Sequence, residues 1–289
     1  MRSSRLKYIH LPVFITLSLL WICSTAFAGL IKTTITCKYR GVEVGRIEMD
    51  VIISNTGDAT AYNVVATIFL AGWAEKSDDL GNNPPQGEIH MRTAFENAAL
   101  KPGMYTAVIR INFEEQSGRS HRVYHVFQIP YLLPKAAEPD ARQLSVQIDF
   151  PLLKKKPFWK KRSEIQIFIE NRHSNPIKPR LSLYLPDGFT APEPNRFYEL
   201  SPEKQIRDTM PVKIDPSIAK SGICHAVAWY EQDGIHYSDH IKGEIRVEES
   251  PIYFKWYLLL AIAVLALLFV VAHRRDLRGS RARPFDLNR

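Results

Sequence analysis

The sequence predicts an all-β body of two sandwiches in series, flanked by one apolar segment at each end. Three observations predict it. Apolar residues recur at every second position in many short stretches, turn-forming residues separate those stretches, and helical periodicity is nearly absent between residues 29 and 249. A period of two sends alternate side chains to opposite faces of a strand, which is the pattern of a sheet with one buried face. Roughly 220 residues in this region are enough for two bodies of ordinary size, each with its own core.

The chain begins with Arg2, Arg5 and Lys7, an apolar run from Leu11 to Cys23, and the small-residue site Ala26-Phe27-Ala28. That order reads as a signal peptide over residues 1–28, cleaved before Gly29. An uncleaved anchor is the alternative. A lipoprotein signal is excluded by bulky Trp21 and Ile22 before Cys23.

The first sandwich spans residues 29–133. Ile31, Thr33, Ile35 and Cys37 alternate with polar residues, and Ile47, Met49, Val51 and Ile53 repeat the period before Asn55-Thr-Gly57 turns the chain. A third strand over Asn63 to Leu70 is rich in β-branched residues, and a fourth covers Gly87 to Phe95. Pro102-Gly103 introduces Tyr105, Ala107, Ile109, Ile111 and Phe113 on one face, and Val123 to Ile129 closes the hairpin. Residues 134–142, with short side chains and two prolines, form a linker that resists both sheet and helix.

The second sandwich, residues 143–249, repeats the plan. Its first two strands are Gln143 to Phe150 and Glu164 to Asn171, and Asn171 stands where Asn55 stood. The run beginning at Arg180 answers the one beginning at Asn63, and Ser221-Gly222 replaces Pro102-Gly103. Cys224, Ala226, Ala228 and Tyr230 point inward, and Asp233-Gly234 is a tight-turn signal leading into the last strand, Ile235 to Val247. This is the signature of a duplicated domain.

Residues 252–272 end the ectodomain. From Trp256 to Ala272 no side chain is charged, and at about 1.5 Å per residue this run covers roughly 26 Å, close to a bilayer core. Tyr253, Trp256 and Tyr257 mark one membrane interface and Arg274 and Arg275 the other, with the basic tail 273–289 on the cytoplasmic side. The expected location is the inner (cytoplasmic) membrane, single-pass, with the N-terminal ectodomain in the periplasm or outside.

The formal charge of +8 follows the same topology. The signal segment carries +3 and the tail +4, leaving +1 for everything between, so nucleic acid is excluded as a partner. Cys37 and Cys224 lie in different sandwiches, which favours two buried thiols over a bridge. The absence of any Asn-x-Ser/Thr acceptor favours a bacterial envelope.

Ile53-Ser-Asn-Thr-Gly-Asp-Ala-Thr-Ala-Tyr-Asn-Val64 and Leu100-Lys-Pro-Gly-Met-Tyr105 resemble the bacterial adhesion-related immunoglobulin-like module. Leu183-Tyr-Leu-Pro-Asp-Gly-Phe189, Leu200-Ser-Pro202, Pro211-Val212 and Ser221-Gly222 resemble its sister, the NEW-type sandwich associated with α-galactosidases. The resemblance covers most of residues 29–249. It implies two tandem immunoglobulin-like β-sandwiches with a binding, spacing or scaffold role in cell-envelope proteins, and no catalytic residues. Asn171-Arg-His-Ser-Asn-Pro176 departs from the usual Asn-Thr-Gly at the turn of the second sandwich.

Chemistry-bearing residues are few. His121 and His125, like His236 and His240, share a strand face about 13 Å apart, too far for two nitrogens on one zinc, and read as half-exposed strand positions. Ser238-Asp239-His240 has triad residue types, but neighbours on a strand point to opposite faces. No catalytic, metal or cofactor motif is present, so an enzyme would need a site of unrecognised form.

Two leads remain. One is the basic aromatic loop of Lys154, Lys155, Lys156, Phe158, Trp159, Lys160, Lys161 and Arg162, expected at the pole where the last strand exits to the membrane. There it would meet anionic lipid, or a protein or polysaccharide partner. The other is glycan contact by Trp73 and Trp229, although a tryptophan on a sandwich more often plugs a rim or an interdomain contact. The function expected is a non-catalytic adaptor or scaffold of an envelope assembly that binds protein or glycan, with a carbohydrate-binding module protein as the alternative. No cofactor is expected.

Overall fold

The computed structural model describes residues 29–97, 99–132, 144–154, 162–215, 217–248, 257, 259–265 and 267–268 of the chain. The signal segment 1–28, the linker 134–142, most of the basic loop (155–161), parts of 252–272 and the tail 273–289 lie outside them. The described chain is mostly β. Among its residues no helix is long and apolar enough to cross a membrane, and residues 257, 259–265, 267 and 268 are helical.

The N-terminal half contains β1 (Thr33–Glu43), β2 (Arg46–Asn55), β3 (Tyr62–Leu70), β4 (Trp73–Lys76), β5 (Glu88–Glu96), β6 (Gly103–Glu114) and β7 (Ser120–Tyr131). Strands β1-β2-β5 form one sheet and β4-β3-β6-β7 the facing layer. The expected inward sets meet between them: Ile47, Met49, Val51 and Ile53 pack with Tyr105, Ala107, Ile109, Ile111 and Phe113 in one core.

The C-terminal half contains β8 (Leu144–Asp149), β9 (Leu152–Lys154), β10 (Arg162–Asn171), β11 (Arg180–Tyr184), β12 (Phe189–Thr190), β13 (Asn195–Phe197), β14 (Gln205–Ile214), β15 (Gly222–Gln232) and β16 (Ile235–Glu248). Its sheets are β12-β14-β10-β8 and β13-β11-β15-β16. A separate core gathers Ile165, Ile167 and Ile169 with Cys224, Ala226, Ala228 and Tyr230.

The duplication is visible at atomic detail. Asn55 and Asn171 are both fully buried. Asn55 Nδ2 donates to the carbonyls of Ala59 (2.7 Å) and Asn83 (3.0 Å), and its Oδ1 accepts from Gly57 N. Asn171 Nδ2 donates to Asn175 and Ser201 (2.9 and 3.0 Å), and its Oδ1 accepts from His173 N. The side chain, not the following Thr-Gly, holds the turn, so its departure from Asn-Thr-Gly leaves the corner intact.

Strands β4, β9, β12, β13 and β14 were not expected from the sequence. Pro211 takes an outward position in β14, opposite Glu164 of β10 and beyond the two-residue pairing with β12. An edge position tolerates the missing donor. Strand β4 follows a two-residue turn at Ala71 and Gly72, both at positive φ (46° and 89°). Strand β9 runs parallel to the end of β16, with Leu152 opposite Arg246 and Lys154 opposite Glu248.

Candidate functional site

The two halves meet through the outer faces of their sheets. In β6 every residue from Tyr105 to Ile109 is buried, and in β15 every residue from Cys224 to Ala228. A strand with one wet face cannot show that pattern. Val108 and Val227, at 1% and 4% exposure, belong to neither core. They fill a third apolar layer between the halves, with Phe69 against Tyr184 (5.3 Å between ring centres) and Tyr124 against Tyr184 (5.6 Å).

At one end of this layer the backbones touch. Gly103 pairs with His236 in a parallel bridge that joins the two facing sheets into one of nine strands. His236 N donates to Pro102 O at 2.8 Å. A Cβ on Gly103 would fall 2.0 Å from His236 O, so glycine is a steric requirement here.

The same end corrects one expectation. His236, read as half-exposed, is 1% exposed. Its ring stacks on Tyr105 at 3.8 Å and faces Trp229 at 5.4 Å. Its Nδ1 lies 3.9 Å from Glu231 Oε1, longer than a hydrogen bond, and burial pushes its pKa down to about 4, with Glu231 opposing and Lys101 reinforcing the shift. Deeper in the interface His225 Nδ1 lies 2.9 Å from His240 Nε2. Burial, then the charges of His240, Lys242 and His125, lower His225 to about 4; burial also lowers His125 and His240. His121 and His125 are half-buried and do not touch a common ligand site. Among the described residues no group of three or more His, Cys, Asp or Glu could hold a metal ion. Cys37 and Cys224 are free; Cys224 is buried, while Cys37 is half-buried rather than fully so.

Beside the interface opens a cleft of about 460 Å³ lined from both halves. Trp73 and Trp229, the two tryptophans singled out from the sequence, both line it. Trp73 is thrown to the rim by the Ala71-Gly72 turn and is 40% exposed. Trp229 lies inward, packed on His236 and within 3.4 Å of where a Gly72 Cβ would be. It serves the interdomain contact and the cleft wall together.

Three arginines, none of them singled out from the sequence, give the cleft its chemistry. The Arg180 guanidinium sits 4.8 Å from both the Phe197 and the Trp229 ring centres. Arg110 lies over Phe69 at 5.1 Å and reaches Thr67 Oγ1 at 3.2 Å. Arg110 and Arg122 lie near the Tyr124 hydroxyl, whose pKa is raised by burial and drawn part of the way back by these cations. The Nε atoms of Arg110 and Arg122 are buried without a partner, and no Asp or Glu lines the cleft. Each arginine occupies an outward strand position, where sequence alone shows only a charged residue on a wet face; their convergence depends on how the halves dock.

The other sequence leads are placed as follows. Lys154 ends β9 beside the last residues of β16, and Arg162 opens β10 with its side chain exposed. Lys155, Lys156, Phe158, Trp159, Lys160 and Lys161 are outside the described residues. Tyr257 is helical and 68% exposed, whereas Tyr253, Trp256, Arg274 and Arg275 are outside them.

No family model matches the chain, and no curated protein matches it. Among solved structures it is similar to red sea bream transglutaminase, at 10% identity and a TM-score of 0.27 over 76% of this chain and 31% of that one. It is also similar to native Escherichia coli alpha-2-macroglobulin, at 10% identity and a TM-score of 0.30 over 75% of this chain and 17% of that one. Salmonella alpha-2-macroglobulin reacted with methylamine gives 9% identity and a TM-score of 0.29 over 74% and 16%. The chain spans under a third of the length of each of these structures. Similarity at this level assigns neither family nor activity.

Proposed function

We propose that the protein is a non-catalytic, single-pass adaptor or scaffold of a bacterial cell-envelope assembly. Two immunoglobulin-like sandwiches stand outside the cytoplasmic membrane, and the cleft between them binds protein or glycan. The observation that carries this is the cleft: both halves build it, three guanidiniums converge on it, and no carboxylate lines it. Such a lining offers donors and flat apolar faces, the means of recognition, without a general base of suitable pKa.

Membrane anchoring has its own support. Leu259, Leu260, Ile262, Val264, Leu265, Leu267 and Leu268 are 48–66% exposed, so this apolar helical stretch is not buried among the described residues, and lipid is the solvent that suits it. The pairing of β9 with the end of β16 starts the basic loop next to the exit toward the helix, which supports contact of that loop with anionic lipid. A carbohydrate-binding module protein is the second reading, favoured by the meeting of Trp73 and Trp229 in one cleft.

The test places a photo-crosslinking amino acid at Phe197, which is 69% exposed on the cleft rim, in the full-length protein in native membranes. A discrete adduct that Arg180→Gln suppresses is expected. A failure to form any adduct, or an adduct indifferent to Arg180→Gln, removes the cleft from the protein's function.

A further inference from the structure

We infer that the cleft takes an acidic oligosaccharide, seating a sugar carboxylate on the guanidiniums of Arg110, Arg122 and Arg180 while a pyranose face stacks on Trp73 or Phe197. The inference rests on the adaptor reading and adds to it the chemical class of the ligand.

The concave outer surface of the β1-β2-β5 sheet also collects arginines, but there each has a carboxylate: Arg40 and Arg46 reach Glu48 at 3.3 and 2.8 Å, and Arg92 lies 3.9 Å from Asp50. That surface sets carboxylates among its cations, with Glu48 shared between Arg40 and Arg46. In the interdomain cleft the three guanidiniums lie against a tyrosine hydroxyl, a threonine hydroxyl and aromatic faces, and no Asp or Glu is among the lining residues. Like charges gathered on one cavity raise each other's energy, and an anion relieves them. The planar fork of arginine suits a carboxylate in particular, through two parallel hydrogen bonds.

The walls decide between a sugar and a peptide. An acidic peptide would bind by adding a strand to a sheet edge. Of the edge strands that reach this cleft, β4 has four residues and β13 three, too short to template one, and the longer β7 contributes the side chains of Arg122 and Tyr124 to its lining. What the rim does offer is rings: Trp73 and Phe197 are 40% and 69% exposed. The axial C–H groups of a pyranose make a flat apolar face that fits such a ring, while its hydroxyls stay in water. A volume of about 460 Å³ is within the range for a small ligand and far below that for a folded partner.

Full-length protein in detergent is titrated by calorimetry with tetragalacturonic acid, with its methyl ester, and with tetraglutamate. Binding of the acid is expected, with at least tenfold weaker binding of the ester. Arg180→Gln, at an exposed position that leaves both cores intact, should weaken the acid at least tenfold and leave the ester unchanged; Arg180→Lys should fall between. Equal binding of acid and ester, tetraglutamate binding as tightly as the acid, or no binding of the acid each overturns the inference. If the acid fails to bind while the Phe197 adduct still depends on Arg180, the glycan inference falls and the adaptor reading stands; if the acid binds and no adduct forms in membranes, the reverse holds.

Discussion

Asn55 and Asn171 show how much one side chain can fix. Each is buried and spends its amide on backbone groups of a chain corner that has no strand partner of its own. Removing the amide takes the donor from the carbonyl of Ala59 or Asn175 and the acceptor from the N–H of Gly57 or His173, at about 1 to 3 kcal/mol for an unsatisfied group. Asn171→Ala should therefore lower the unfolding free energy of the C-terminal half by about 2 to 3 kcal/mol, read from urea denaturation, with Asn55→Ala doing the same to the N-terminal half. The cysteines allow a second check at this scale. Burial raises the Cys224 thiol to about 12 and the Cys37 thiol to about 11, so almost no thiolate exists at pH 8. Alkylation of the native protein should be slow at both, slower at Cys224, and fast at both once urea unfolds the chain. Rapid labelling of Cys224 in the native state would contradict its burial. Histidine is where residue-level inference stopped short: His236 sits at a strand position that local pattern leaves wet, and Tyr105, from the other half, buries it together with Trp229 of the paired strand.

At the level of strands, the period of two identified the inward face of nearly every long element, because burial of that face is a property of the strand and its own sheet. It missed the short strands, which have too few residues to show a period, and β14, where Asp208 stands among the inward set of Ile206, Met210, Val212 and Ile214. It was also silent on the second buried face of β6 and β15. Residues such as Val108 and Val227 look like ordinary β-formers on an outer face. Because they belong to neither core, a charge there should part the halves without unfolding either. Val227→Asp is expected to enlarge the radius of gyration in small-angle scattering and to split thermal unfolding into two transitions, while the β-sheet circular dichroism persists. Loss of that signal instead would mean the halves do not hold their folds apart.

Over the whole molecule the docking of the halves is sensitive to pH. His236 and His225 are held to about 4 by burial, against about 6.5 in an unfolded or separated chain. Above pH 6.5 both states are neutral and the interface is at full strength. As pH falls from 6.5 toward 4 the separated state takes up protons that the docked state refuses, so docking stability is lost across that window, by at most about 1.4 kcal/mol per pH unit for His236. Calorimetric unfolding between pH 7.5 and 4.5 should show this decline, and His236→Phe, which keeps the stack on Tyr105 but cannot titrate, should flatten it. An unchanged slope in that variant would remove His236 from the interface energetics.

Local pattern was thus enough to specify an all-β chain, two repeated sets of strands, the inward residues of each core and the tight turn at Asp233-Gly234, where Gln232 pairs with Ile235. Each of these follows from alternation and turn chemistry within a few residues of chain. The site could not be read the same way. Arg110, Arg122 and Arg180 become one cluster, and Trp73 and Trp229 two walls of one cleft, only when the outer face of one sandwich lies on that of the other. That docking is set by shape and by contacts between residues a hundred or more positions apart, such as Gly103 against His236, and no periodicity along the chain encodes it.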